Sequence, residues 1–162
     1  MKPRRLQWLV VALCLFFCVL GVSAQTLQIA DAQGHVTSIT PEQLAKMPHV
    51  TVDTKDHDAP AQFEGVPMAA VLGAAGVTMG DTLRGPRLTE ALLVEAADGY
   101  KVVFALAEFD PAFATREIIL ADKRDGKPLG GKEGPFRIVA PGDKRPVRWI
   151  RQVTSMKVVS VK

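Results

Sequence analysis

The clearest order in the chain is its alternation of apolar and polar positions. "TLQIAD" is a short strand candidate, and "HVTVDT" alternates with the period of two that marks a half-buried strand. "TPEQLAKM" opens a helix with Thr40 as N-cap, Pro41 at the first helical position and Gln43 in a capping-box position. "GVPMAAVLGAAGV" has helical spacing from Pro67, with Gly76 as its C-cap. "ALLVEAADGYKVVFAL" reads as two strands around Asp98-Gly99, a strong short hairpin signal. "REIILAD", "PFRIVAPG" and "VRWIRQVTSMKVV" predict three more strands, joined by turn-rich segments such as "KRDGKPLGGKEG", while the polar "KDHDAP" reads as a loop. Strands and short helices in this order, without strict alternation, predict an α+β domain with a mixed sheet.

The first 24 residues stand apart from this pattern. A basic start (Lys2, Arg4, Arg5), an apolar run from Trp8 to Leu20 and the small-residue "VSA" before Gln25 read as a cleavable signal peptide, with a retained membrane anchor as the alternative. The working domain is then residues 25–162, expected in the periplasm, with cleavage near Ala24. Both cysteines, Cys14 and Cys18, lie in the leader, so the mature domain of 138 residues rests on its apolar core rather than on disulfides.

Removing the leader also changes the charge. The formal +3 of the chain comes from the leader, and residues 25–162 carry 17 basic and 17 acidic side chains. They are unevenly spread: residues 25–110 hold 5 basic and 12 acidic, residues 111–162 hold 12 basic and 5 acidic. Zero net charge and few aromatics argue against nucleic acid, whereas a local anion site in the C-terminal third fits the segregation.

Familiar catalytic patterns are missing. His35, His49 and His57 lack the spacing of a metal motif, and "DTKDHDAP" reads as a solvated loop. The sequence has no nucleophile elbow, no P-loop and no dinucleotide fingerprint, and Asp98, Glu108 and Asp110 read as turn and cap residues.

In the C-terminal half, "GYKVVFAL", "ILADKRDGKPL", "GPFRIVAPG" and "VRWIRQV" occur in an order that resembles the molybdopterin-binding domain of sulfite oxidase-type enzymes, over about Asp98 to Val153. The resemblance implies that fold and a pterin ligand. Those enzymes hold molybdenum through a cysteine that the mature chain lacks, so a metal-free, non-enzymatic role is expected. The chain resembles small exported pterin-binding proteins that report to the periplasmic domain of a membrane signalling partner controlling cyclic-di-GMP. A reduced molybdenum-cofactor oxidoreductase or subunit, and a ligand-free interaction domain of the same fold, are the alternatives.

A pterin is a flat bicycle with a guanidine-like edge, so its site wants a stacking plane, a carboxylate and backbone groups. "GDKRPVRW" offers Trp149 with Arg145 or Arg148 for stacking, and Asp143 or Asp98 for the amino edge. Lys144 and the arginines would meet a phosphate. Tyr100 matches the active-site tyrosine of the resembled enzymes, and Arg137 and Arg116 complete the candidate set. Each has a structural alternative: Trp149 as a core residue, Tyr100 as an ordinary strand residue, Arg137 paired to an acidic neighbour.

Overall fold

In the computed structural model, which describes residues 25–160, two five-stranded sheets share the work of building one apolar core. The leader expectation falls on residues 1–24, outside the described residues.

The first sheet contains β1 (Leu27–Ala30), β2 (Val36–Ile39), β5 (Glu90–Ala96), β6 (Lys101–Ala105) and β10 (Val153–Ser160), in the order β2-β1-β10-β5-β6. β1 and β10 run parallel, and every other pairing in this sheet is antiparallel. The second sheet contains β3 (Val50–Asp56), β4 (Ala59–Pro67), β7 (Ile119–Arg124), β8 (Lys127–Pro128) and β9 (Arg137–Val139), with β7 paired to β4, β8 and β9. Buried side chains from both, among them Leu27, Ile29, Leu92, Val94, Phe63 and Ile119, pack into a continuous cluster.

Local chemistry explains the elements. α1 (Pro41–Leu44) begins with the capping box its sequence predicts: Gln43 N donates to Thr40 Oγ1, and Thr40 N donates to Gln43 Oε1. α2 (Met68–Ala74) buries Met68, Val71 and Leu72 and is followed by Gly76 at φ +84°, a conformation glycine adopts without a Cβ penalty. Between β5 and β6, Asp98 accepts from the Tyr100 amide, and Gly99 takes φ +83°. Between β4 and β7 the register shifts at Gly65, where a Cβ would stand 2.3 Å from the Leu120 carbonyl oxygen. Only glycine lets the two backbones come this close.

Two sequence expectations change. The polar "KDHDAP" is not an open loop: β3 runs to Asp56, β4 starts at Ala59, and His57 and Asp58 form a two-residue turn with both φ values positive. "VRWIRQVTSMKVV" is not strand throughout. Pro146–Arg148 is a 3₁₀ turn, Gln152 sits at φ +50°, and β10 begins only at Val153. Proline favours the first position of such a turn because its φ is already set.

Candidate functional site

The cleft where the two sheets face each other has a volume of about 740 Å³. One wall is the β5–β6 hairpin end, with Ala96, Asp98 and Tyr100, and the other carries Asp56, His57, Arg124 and Arg137 from the second sheet. Lys132, Glu133, Pro146, Val147 and residues 149–152 close it.

Its floor is a charged cluster built on β3, β7 and β9. Arg137 is only 3% exposed, and its Nη1 donates to Asp56 Oδ2 at 3.0 Å and to Glu133 Oε1 at 3.1 Å. Arg124 Nη1 donates to the same two oxygens, each at 3.1 Å. Both guanidinium groups lie over Phe63, at 5.4 Å for Arg124 and 5.1 Å for Arg137. Burial alone would push the Asp56 carboxyl up, but the Arg137 hydrogen bond and the charges of Arg137 and Arg124 outweigh it and hold it below the ordinary carboxylate value. Asp56 Oδ1 and Arg137 Nε are buried without a hydrogen-bond partner, with His57 Nε2 3.7 Å from Oδ1, at ion-pair rather than hydrogen-bond distance. Such orphaned polar atoms are costly unless something else satisfies them.

Trp149 is the wall behind this cluster. It is 4% exposed, its Nε1 donates to the Ala140 carbonyl at 2.9 Å, and its ring meets Phe63 edge-on at 6.0 Å. The Arg137 guanidinium lies 5.7 Å from the indole centroid. Trp149 therefore stacks on a protein cation already, and the aromatic ring at the cleft with accessible surface is Tyr100, 52% exposed. Its hydroxyl donates to the Val147 carbonyl at 3.1 Å, tying the hairpin of one sheet to the 3₁₀ turn that follows the other.

The sequence candidates divide into three places. Trp149, Arg137, Tyr100 and Asp98 meet at the cleft. Lys144, Arg145 and Asp143 line an adjoining groove of about 590 Å³ that shares His57, Pro146 and Val147 with it. Arg148 and Arg116 lie elsewhere. Arg148 donates through Nε and Nη2 to Asp143 and through Nη1 and Nη2 to Glu108, and its guanidinium covers Phe104 at 4.6 Å. The Asp143 hydrogen bond and the Glu108 charge together outweigh burial and raise its already high proton affinity. Arg116 donates to the Gly142 carbonyl and supports that loop from below.

Asp56, Arg124 and Glu133 were missed by sequence reasoning. The His57-Asp58 pair, as a two-residue turn, is a local signal that β3 extends to Asp56, whereas the meeting of Asp56 with Arg124 and Glu133 depends on pairings distant in sequence.

A family model described as the oxidoreductase molybdopterin binding domain matches residues 21–161. Among solved structures, the sulfane dehydrogenase SoxCD from Paracoccus pantotrophus shares the fold, with a TM-score of 0.64 and 19% identity over 85% of this chain. This chain spans 39% of that one. No curated protein sequence matches. The family match corrects the expectation of a non-enzymatic protein, because it identifies an oxidoreductase-type molybdopterin domain. Residues 25–162 contain no cysteine, so this part of the chain offers no thiolate donor, and oxygen, nitrogen or non-protein donors can still complete a coordination sphere. The expectation of a metal-free ligand finds no support in the same match.

Proposed function

The chain belongs to the oxidoreductase molybdopterin-binding domain family, and from that premise we propose that the cleft between its two sheets holds the pterin of a molybdopterin-type cofactor, as the cofactor-binding part of an oxidoreductase. The observation that carries this reading is the floor of the cleft. A buried arginine with an unsatisfied Nε and a buried carboxylate with an unsatisfied Oδ1 lie beneath a cavity of about 740 Å³, within the range of small-molecule sites. The donor set suits the group. A pterin presents acceptors and an amino edge, and the cleft offers guanidinium donors, carboxylates and one accessible aromatic ring.

When bound, the cofactor supplies metal-centred redox chemistry. The chain's own residues bind and orient. Asp98 provides a carboxylate for the amino edge, and Tyr100 offers its accessible ring as a stacking surface. Lys132 and Arg151 add positive charge at the cleft for an anionic substituent. Phe63 and Trp149 exclude water from beneath Arg137, which strengthens its interactions by lowering the local dielectric. Export through the leader belongs to the same proposal, as does contact with the periplasmic domain of a membrane signalling partner. Those parts rest on the pattern of residues 1–24 and on the resemblance of the C-terminal half.

Titration of the purified chain with 6-hydroxymethylpterin, followed by pterin fluorescence, tests the binding step. Saturable quenching is expected, weakened about ten- to a hundredfold by Tyr100→Ala, as the loss of one stacking surface predicts. Arg148→Ala, which alters no cleft residue, should leave the affinity unchanged. Absence of saturable binding, or equal loss in both variants, would overturn the assignment of the cleft. Metal analysis of protein produced with molybdate then reads whether the bound pterin carries molybdenum.

A further inference from the structure

Five strand edges border the two sheets among the described residues, and four of them are blunted or covered; β9 is three residues long, buried, and its Ile138 amide donates to the Ile150 carbonyl. β2 has only four residues, β3 turns Asp53 and Lys55 outward, and β8 is two residues long and ends in Pro128. Short length, outward charge and proline are the devices that keep an edge from pairing with another chain. The remaining edge, β6, has five residues, no proline and no bulge. Its Val103 is 53% exposed, and Ala105 is exposed beside it.

The hydrogen bonds of the hairpin fix which way the β6 backbone points. Ala96 N donates to Tyr100 O, so that pair is hydrogen-bonded, and with the observed register the alternation makes Val94–Val102 and Leu92–Phe104 the next such pairs. The amides and carbonyls of Lys101, Val103 and Ala105 therefore face away from the sheet. Ala105 N donates to Glu108 Oε1 at 2.9 Å, which sets a carboxylate against the far end of this edge. β6 thus has a cation, Lys101, at its start and an anion, Glu108, at its finish. Lys101 shares its ammonium with Glu95 at 3.1 Å, whereas Glu108 and Asp143 share the single charge of Arg148 and leave that end net negative.

We propose that two copies of this chain pair antiparallel along β6, about a two-fold axis at Val103, forming one continuous ten-stranded sheet. In this register Val103 faces its own counterpart and exchanges both backbone hydrogen bonds with it. Lys101 of each copy faces Ala105 and Glu108 of the other, so unlike charges meet twice. A parallel arrangement would set like against like. A two-fold contact that is self-complementary in charge, backbone and apolar surface needs no second kind of partner. The pairing stands independently of the cofactor reading, since it uses no residue of the cleft.

The edge is short, so a weak dimer is expected, at roughly 10 µM to 1 mM, consistent with a contact below the ~1,000 Å² of stable interfaces. Sedimentation velocity on the full chain across that range should show a concentration-dependent dimer. Val103→Lys sets two ammonium groups opposite each other at the axis and should weaken dimerisation at least tenfold. Val103→Pro removes the amide at the axis and costs no bond within the chain. Circular dichroism confirms that each variant keeps its fold, and Thr51→Lys on the β3 edge should dimerise like the parent. A chain that stays monomeric throughout, or folded Val103 variants that dimerise as the parent does, overturns the proposal.

Discussion

Arg137 Nη1 donates to Asp56 Oδ2 at 3.0 Å, joining two buried side chains that are 81 positions apart in the sequence. The pair holds β9 to the end of β3, and Arg124 and Glu133 share its charges. Removing one partner of a buried pair leaves the other uncompensated. Asp56→Ala should therefore destabilise the fold by about 3 kcal/mol, at the lower end for buried pairs because Glu133 still meets both arginines. Urea denaturation of the variant and the parent measures it.

The same carboxylate gives a pH dependence with a definite sign. Burial raises its proton affinity, but the Arg137 hydrogen bond with the Arg137 and Arg124 charges lowers it by more, so the folded value lies below the unfolded one. Its stabilisation is complete above the unfolded value near 4 and is lost as the pH falls through the folded value. Melting temperature should drop on acidification below about pH 4. Asp56→Asn should be less stable at neutral pH and show a shallower acid limb in a pH series of thermal melts.

Trp149 and Tyr100 should separate stability from binding. Trp149 is packed against Phe63 and Arg137, so Trp149→Ala should cost about 3 to 5 kcal/mol of stability, and Trp149→Phe about 1 to 2 through loss of the indole bond to Ala140. Tyr100 is half exposed, so Tyr100→Ala should change stability by about 1 kcal/mol or less while weakening pterin binding. Parallel unfolding and fluorescence titrations on the variants check the contrast.

Gly65 and Gly142 both have crowded Cβ positions, but with different neighbours. At Gly65 the obstacle is the Leu120 backbone at 2.3 Å, which cannot move without opening the β4–β7 ladder. At Gly142 it is the Arg116 Cδ at 2.8 Å, on a flexible side chain. Gly65→Ala should lower stability by about 2 to 4 kcal/mol and Gly142→Ala by less than about 1. Thermal melts of the two variants rank them.

The elements with strong local rules were legible in the sequence. Thr40, Pro41 and Gln43 specify the start of α1, and Asp98-Gly99 specifies the β5–β6 hairpin, because capping and turn chemistry act over a few residues. The last segment misled because "VRWIRQVTSMKVV" satisfies a strand pattern, yet Pro146 and the positive φ at Gln152 delay β10 to Val153. The site was half legible. Arg137, Trp149, Tyr100 and Asp98 came from the C-terminal half, where the resemblance lay. Asp56 and Glu133 owe their place to pairings distant in sequence, which no local pattern encodes. Arg148 is adjacent to Trp149 in the sequence but, as the last residue of the 3₁₀ turn, sends its side chain to Glu108 and Asp143.

The position of β10 bears on the order in which the protein can be made. It is the last described strand to be synthesised and the centre of its sheet, flanked by β1, with Gln28 beside Ser155, and by β5. Until it emerges, β1–β2 and β5–β6 are two separate hairpins, and Leu27, Ile29, Leu92 and Val94 lack the strand that joins them. Two-stranded hairpins are marginal in water. A nascent chain can pair the strands of its second sheet first, and its first sheet closes only in a late step, once β10 has left the ribosome.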